Sequence, residues 1–428
     1  MPNKYTAPRG TIDFLPPESV KHLFVETVFR DVADVYGYQP VRTPAFESTE
    51  LFARGAGESS DIVSKEMYTF PDKKGRSMTL RPEGTPGVVR ALIQAGWNFK
   101  QLTRLYYVGS MFRYQRPQKG RYREHTQAGA EILGTDSVTA DAEVISLGIT
   151  FLKSLGLKDL RVAVNSIGSA EDRMEYNIDL KKYIDAHADE FCPECHFRAA
   201  RNPLRAFDCK VKECGLALLE APSISEALSD ASRSRFAALQ ELLRAEGMEI
   251  EIDPTLVRGL DYYTHTVFEV MLKGESGQQS SLMGGGRYDG LVEMYGGPPT
   301  PAMGFGSGIE RIAEAMDWSG LEPEIQQHFQ VAVIPLGEAA RLLAIGIADA
   351  LRAGEICTSF EHRDQSLKSQ LGQASLLGVS FSIILGDDEL KDGVAVVKEM
   401  QSGIQVKVAL DEVVEYIRGS LDKKRSGC

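Results

Sequence analysis

Phe112-Arg113-Tyr114-Gln115-Arg116-Pro117, continued by Arg121-Tyr122-Arg123, Gln127 and Glu131, is the stretch on which the reading of this fold turns. Apolar runs flank it, Leu102 to Met111 before and Ala128 to Leu133 after, and Pro117 and Gly120 mark a turn between them. Two strand-like runs joined by turn residues predict an antiparallel hairpin. Arg113, Arg116, Lys119, Arg121 and Arg123 crowd its tip. A guanidinium keeps its charge at all ordinary pH and bonds an anion with a planar fork, so this density suits a phosphate-bearing ligand. The competing reading is a solvated charged turn. Against it, the arginines border apolar strand residues and Glu131 lies on the returning strand, a pattern that suits the wall of a pocket.

The rest of the chain sets the frame. Its 428 residues are enough for two or three domains, and 43% hydrophobic content is ordinary for a globular protein. No apolar run reaches the roughly 18 residues of a membrane span. Met1 to Gly10 is polar and lacks the apolar core of a signal peptide, so a cytoplasmic protein is expected. A net charge of -12 argues against generic coating of nucleic acid, but local basic patches remain compatible with an RNA partner.

Pattern divides the chain further. Pro16-Pro17 opens a predicted helix with an apolar face of Val20, Phe24, Val28, Val32 and Val35, stopped by Gly37. An extended segment, Val41 to Phe46, follows, and Pro44 makes it an edge or interface strand. From about Asn165 to Met248 the sequence reads as charged and helical; strand and glycine signals return from Ile252 to about Met316. After a charged break near 319–327, strand and helix alternate through Phe329–Pro335, Ala339–Ala353, Ile356–Phe360, Ser366–Leu377 and Phe381–Leu385. That alternation predicts an α/β layer module with a mainly parallel sheet.

Two stretches in the returning part look chemical. Arg258-Gly259-Leu260-Asp261-Tyr262-Tyr263 sets an arginine, a carboxylate and two hydroxyl-bearing rings within six residues. Gly284-Gly285-Gly286-Arg287-Tyr288-Asp289-Gly290 offers a backbone that another group can approach closely; alone, such a run is usually a turn. Gly304-Phe305-Gly306-Ser307-Gly308-Ile309-Glu310-Arg311 reads as a small-residue strand entering a helix, with Arg311 in its first turn, where an anion is already favoured. The plain alternative for Arg311 is a surface pair with Glu314.

Together these motifs resemble the class II aminoacyl-tRNA synthetases, and within them the histidyl-tRNA synthetase family. Pro40-Val41-Arg42-Thr43-Pro44 resembles the class's dimerisation motif, Phe112 to Glu131 its second motif and Gly304 to Arg311 its third. The Arg258–Tyr263 and Gly284–Gly290 stretches resemble the two peptides that mark the histidine enzymes, and Leu80-Arg81-Pro82-Glu83-Gly84-Thr85 a further family segment. The resemblance implies an α+β catalytic core with a mainly antiparallel sheet in two parts, residues 1–165 and 251–325. It also implies a helical insertion at 166–250 and a C-terminal α/β anticodon-binding domain at 328–428. It implies ATP, Mg2+, L-histidine and tRNA(His) as ligands, and a homodimer. By the same resemblance Arg113 holds the α-phosphate, Arg311 the γ-phosphate, and Arg258 lies near the α-phosphate and the substrate carboxylate. Gln115, Arg121 and His125 belong to the ATP site. Glu83, Thr85 and Gln127 would take the substrate ammonium, and Glu131 and Tyr263, beside Tyr262 and Tyr288, the imidazole. The family has glutamate at Gln115 and phenylalanine at His125; a neutral His125 can still stack on adenine, and its protonation at mildly acid pH is expected to alter ATP affinity. A site built to pair both imidazole nitrogens rejects other amino acids by roughly four to five powers of ten, without an editing domain.

Cys192, Cys195, Cys209 and Cys214 form a CxxC…CxxxxC cluster that reads either as zinc ligands or as reduced thiols. Cys357, in an apolar run, is expected in the core, and Cys428 to be free. Arg363, Gln365, Lys368 and Gln370 are candidates for touching the anticodon. The rival functional reading is a non-catalytic paralogue that serves as the histidine-sensing regulatory subunit of ATP phosphoribosyltransferase. Such a chain lacks the tail module and loses motif arginines, whereas Arg113, Arg258 and Arg311 are all present here.

Overall fold

In the computed structural model the arginine-rich stretch is the hairpin of strands Thr103–Phe112 and Glu124–Leu133, antiparallel, with Phe112 opposite Glu124 and Thr103 opposite Leu133. The structure describes residues 5–57, 60–118, 120–274, 281–323 and 329–425; Lys119 and Cys428 lie outside them. The returning strand begins earlier than its apolar run, because Glu124 to Gln127 alternate polar side chains on a ladder that the backbone alone defines. Strand side chains alternate faces, so His125, Gln127, Gly129 and Glu131 share one side.

Met1–Pro323 forms one compact unit and Glu324–Cys428 a second. In the first, the hairpin is part of an eight-stranded sheet. Gln39–Pro40 edges it, followed by Thr103–Phe112, Glu124–Leu133, Ala302–Gly308, Ser281–Arg287, Thr264–Leu272, Leu160–Ser166 and Ile250–Ile252. Pairing is parallel only at the two edges and antiparallel between. One face packs on helices Glu18–Val35 and Val138–Ser154, where Phe29 meets Phe151 at 5.1 Å and Phe305 at 6.3 Å between ring centres. On Ala302–Gly308 the alternation is visible directly: Phe305 and Ser307 are buried on the core side, and Gly304, Gly306 and Gly308 fall on the other. Between Ser166 and Ile250 the chain is helical, with helices Ala170–Ala186, Pro193–Ala199, Lys212–Leu219 and Asp230–Ala245 among its elements. Tyr176, Leu180 and Cys195 share an apolar cluster there with Val267 and Tyr288 of the sheet region.

Two expectations need correction here. The first helix buries Val25, Phe29, Val32 and Ala33, and Val35 is 85% exposed. The valine spacing suggested a stripe one position off, but the larger Phe29 ring takes the core. The segment after it is not one strand: only Gln39–Pro40 pairs with the sheet, and Phe46–Ser48 joins a separate three-stranded sheet with Ser77–Leu80 and Tyr68–Pro71.

The second unit has strands Thr358–Phe360, Val331–Pro335, Phe381–Leu385, Val394–Glu399 and Gln405–Ala409 in that spatial order. The first three are parallel and the last two antiparallel, so the sheet is mixed where a mainly parallel one was expected; the closing hairpin carries no intervening helix long enough for a parallel crossover. Cys357 is exposed rather than core, because Ile356, Thr358 and Phe360 take the inward positions of an edge strand. Gln370 is buried and donates to the carbonyls of Pro335 and Gln365, where an exposed position was expected. Arg363 and Lys368 are exposed, Arg363 paired with Glu361 at 2.9 Å.

Candidate active site

The face of the large sheet opposite the helices floors a cleft of about 970 Å3. Arg113, Gln115, Arg121, His125 and Gln127 enter it from the hairpin, Glu83 and Thr85 from the segment that starts helix Thr85–Gln94, and Arg311 from the first turn of helix Ile309–Trp318. Arg258, Tyr262, Tyr263 and Tyr288 complete the wall. Residues far apart in sequence therefore converge on one cavity. Of the residues expected to bind ATP or histidine, Glu131 alone does not line the cleft: it is fully buried.

The glycines make this convergence sterically feasible. A Cβ at Gly304 would overlap Glu131 Oε2 and lie 2.6 Å from its Cδ; one at Gly306 would overlap Gln127 Nε2. A Cβ at Gly284 would collide with the Arg258 guanidinium, and one at Gly286 would sit 2.5 Å from the Thr266 carbonyl and 2.9 Å from the Tyr263 ring. The glycine run is thus a bare floor over which the working side chains lie, not a turn.

At one end, two carboxylates are enclosed by hydroxyls. Thr85 Oγ1 and Tyr288 OH each donate to Glu131 at 2.6 Å, and Tyr262 OH donates to Glu83 Oε2 at 2.8 Å. Burial pushes the Glu83 carboxyl up to about 7, against the pull of Tyr262, and the Glu131 carboxyl up to about 8, against the bonds from Thr85 and Tyr288. Burial likewise raises Tyr263 to about 12, opposed by Arg258. Glu83 Oε1 and Gln127 Oε1 are buried with no hydrogen-bond partner in this structure. Unpaired buried acceptors are costly, and two at one pocket suit a ligand that donates hydrogen bonds, such as an ammonium group.

The other end is cationic. Arg113 Nε donates to the Pro82 carbonyl at 2.8 Å, and Arg311 Nη1 to that of Ser281 at 2.9 Å. Arg258 pairs with Glu269 at 3.4 Å. Arg311 is a cleft residue, not the surface pair its spacing to Glu314 also allowed. Desolvation, with Arg121 adding repulsion, lowers its pKa to about 10, so it stays charged at neutral pH. His125 is pressed harder: burial first, then Arg113 and Arg311, bring it down to about 3. Its ring is therefore neutral throughout the physiological range, which overturns the expected response of this side chain to mild acid. Not every tip arginine faces the cleft. Arg123 stacks 3.9 Å above the Tyr114 ring and donates to the Arg9 and Gln115 carbonyls, and Arg116 is exposed.

Sequence reasoning missed several participants. Asp208, Glu269 and Glu310 also line the cleft, and Tyr107 OH accepts from Gln127 Nε2 at 3.3 Å. Glu269 stands opposite Gly284 in the ladder, and Glu310 directly precedes Arg311, so strand register and the third motif held a signal for both. Asp208 had none beyond its place beside Cys209. Glu310 Oε1 accepts from the Thr126 amide at 2.7 Å, while Oε2 is buried without a partner.

A histidyl-tRNA synthetase family model matches residues 10–175 and 196–312, and an anticodon-binding-domain model matches 330–420. The histidine–tRNA ligase of Halothermothrix orenii is 46% identical over 413 residues, covering 96% of this chain and 98% of that protein. That of Bacillus subtilis is 44% identical over 419 residues, covering 97% and 99%. The crystal structure of apo histidyl-tRNA synthetase from S. aureus superposes with a TM-score of 0.82 at 37% identity, covering 96% of this chain and 99% of that one. A Bacillus halodurans structure described as an ATP phosphoribosyltransferase regulatory subunit/histidyl-tRNA synthetase shares the fold, with a TM-score of 0.65 at 23% identity, covering 90% and 99%.

Proposed function

The chain belongs to the histidyl-tRNA synthetase family, and from that premise we propose how its residues divide the work. It is an ATP-dependent histidine–tRNA ligase, as are the full-length relatives it matches. The regulatory-subunit reading is not favoured, since likeness to that chain extends to fold alone.

In the first step a carboxylate oxygen of histidine forms a bond to the α-phosphorus of ATP, and the bond to the bridging oxygen breaks to release pyrophosphate. Two anions must meet, so the protein's task is positioning and charge neutralisation. On this reading Arg113 and Arg258 stabilise the α-phosphoryl group and the incoming carboxylate, and Arg311 holds the γ-phosphate. Gln115 and His125 flank adenine, with Arg121 beside the phosphates. Glu83 and Gln127, with Thr85, take the ammonium. Glu131 and Tyr263, between Tyr262 and Tyr288, pair the imidazole nitrogens. Each carboxylate oxygen has a second lone pair, so the bonds Glu131 already accepts leave room for one more. In the second step a hydroxyl at the 3′ end of tRNA(His) takes the histidyl group and AMP leaves.

Family membership implies Mg2+ with the nucleotide. Glu310, with a buried and unpartnered Oε2, and Glu269 supply oxygen ligands of the right hardness at the cleft. Bound there, the ion would neutralise charge on the outer phosphates. Residues 1–165 and 251–325 serve as the two parts of the catalytic core, 166–250 as its insertion and 328–428 as the anticodon-binding domain. Exposed Val35 and Phe46, near the edge strand Gln39–Pro40, support a homodimer through the first motif. A cytoplasmic location follows from the activity.

The observation that carries the assignment is that Glu83 and Gln127, each with a buried and unpartnered Oε1, line the same cavity as Arg113, Arg258 and Arg311. Replacement of Arg258 by alanine tests it. Pyrophosphate exchange should collapse while the melting temperature holds; near-normal exchange refutes the role of Arg258.

A further inference from the structure

The four clustered cysteines lie in the helical stretch, outside the cleft. Cys192 precedes helix Pro193–Ala199, which carries Cys195; Cys209 directly follows the 3-10 turn Pro203–Asp208; Cys214 is on helix Lys212–Leu219. Their sulfurs all lie within 4.8 Å of one another, and Cys192 Sγ is 3.7 Å from Cys209 Sγ. A disulfide requires about 2.05 Å. Four sulfurs about 2.3 Å from a tetrahedral ion are separated by about 3.8 Å. The backbone amides of Cys192 and Val211 donate to Cys214 Sγ at 3.2 Å and Cys209 Sγ at 3.4 Å, so both sulfurs are held in place by the main chain. Soft sulfur ligands in a closed set of four select zinc in its structural role.

What this cluster would hold in place reaches the cleft. Pro203–Asp208 ends at Cys209 and carries Arg205, only 6% exposed. Arg205 Nε donates to Asp261 Oδ1 at 3.0 Å and its Nη1 to Asp208 Oδ2 at 3.3 Å; Asn202 Nδ2 donates to the same Asp261 oxygen at 2.9 Å. Asp261 directly precedes Tyr262 and Tyr263, and Asp208 lines the cleft with Arg258.

We propose that Cys192, Cys195, Cys209 and Cys214 bind one Zn2+, and that this ion sets the position of the Arg258–Tyr263 loop through Arg205, making Arg205 a positioning residue for histidine. The second half rests on the proposed histidine site; the first does not. Protein purified without chelator from zinc-supplemented medium should hold about one zinc per chain, and Co2+ exchanged into it should show the absorption of a tetrahedral tetrathiolate. Less than a few tenths of an equivalent of zinc, or a cobalt spectrum without thiolate bands, overturns the metal site whatever the activity. Cys209→Ser should lose the metal and lower the melting temperature; retention of full zinc also overturns it. Should that variant fail to fold, Arg205→Ala decides the coupling. With zinc retained, it should raise the histidine KM ~10-fold, the scale seen when an outer partner of a site is lost, and leave the ATP KM unchanged. An unchanged histidine KM, or equal rises for both substrates, overturns the coupling. If wild-type protein shows no dependence of exchange on histidine, it is the histidine reading that has failed.

Discussion

Replacement of Gly304 by alanine puts a single methyl group where the structure has no room. Its carbon would overlap Glu131 Oε2 and lie 2.7 Å from the Ala130 carbonyl oxygen. The carbonyl belongs to the ladder between Glu124–Leu133 and Ala302–Gly308, so the side chain of Glu131 gives way before the backbone does. Moving it breaks the 2.6 Å bonds from Thr85 and Tyr288. Hydrogen bonds to a carboxyl that keeps its proton contribute up to about 1.5 kcal/mol each, so losing two costs at most about 3 kcal/mol, or roughly 100-fold in equilibrium terms. That loss should appear in kcat/KM for histidine in pyrophosphate exchange, since Glu131 lies at the carboxylate end of the cleft. The ATP KM should stay within a factor of a few, because the arginines that line the phosphate end are untouched. A variant with a histidine kcat/KM within threefold of wild type would refute the claim that Glu131 is held for the substrate by the bare edge of Gly304.

Three further outcomes follow from the electrostatics. Because His125 is held at about 3, the ATP KM should show no inflection attributable to it between pH 8 and 5.5, and a His125→Phe variant should have a profile of the same shape; an inflection near pH 6.5 that disappears in His125→Phe contradicts the burial argument. Burial raises the Glu83 and Glu131 carboxyls to about 7 and about 8 from the ordinary 4.5, so the folded state holds their protons more tightly. Their contribution to stability is full below about pH 4.5 and is lost as pH rises through 7 to 8; the ligand-free melting temperature of wild type should fall over that window more steeply than that of Glu131→Gln, and parallel curves would count against it. Histidine bonded to both carboxylates favours their charged forms, so binding at pH 7 should release protons, detectable by calorimetry in buffers of different ionisation enthalpy; proton uptake would contradict the arrangement.

Much of the site was legible because its chemistry is local. The arginine-rich turn between two apolar runs named its own hairpin, and the alternating glycines of Gly304 to Gly308 marked a strand with one bare face. The enclosure of Glu131 was not legible, since it depends on Thr85 and Tyr288 arriving from opposite ends of the unit. The same holds for the contact of Arg205 with Asp261, across 56 residues. Helix phase failed for a different reason: valine spacing on Glu18–Val35 fits two neighbouring stripes, and only packing against Phe151 and Phe305 chooses the one with Phe29. Cys357 and Gln370 show the limit of composition, since an apolar run can place a cysteine outward and a polar helix can turn a glutamine inward.

Amino-acid-dependent ATP–pyrophosphate exchange with the pure protein and Mg2+ is the most direct test of histidine activation. Exchange should occur with L-histidine, and the rate for the other amino acids should be lower by roughly four powers of ten. Absence of exchange with histidine, or comparable exchange with a second amino acid, would contradict the histidine assignment.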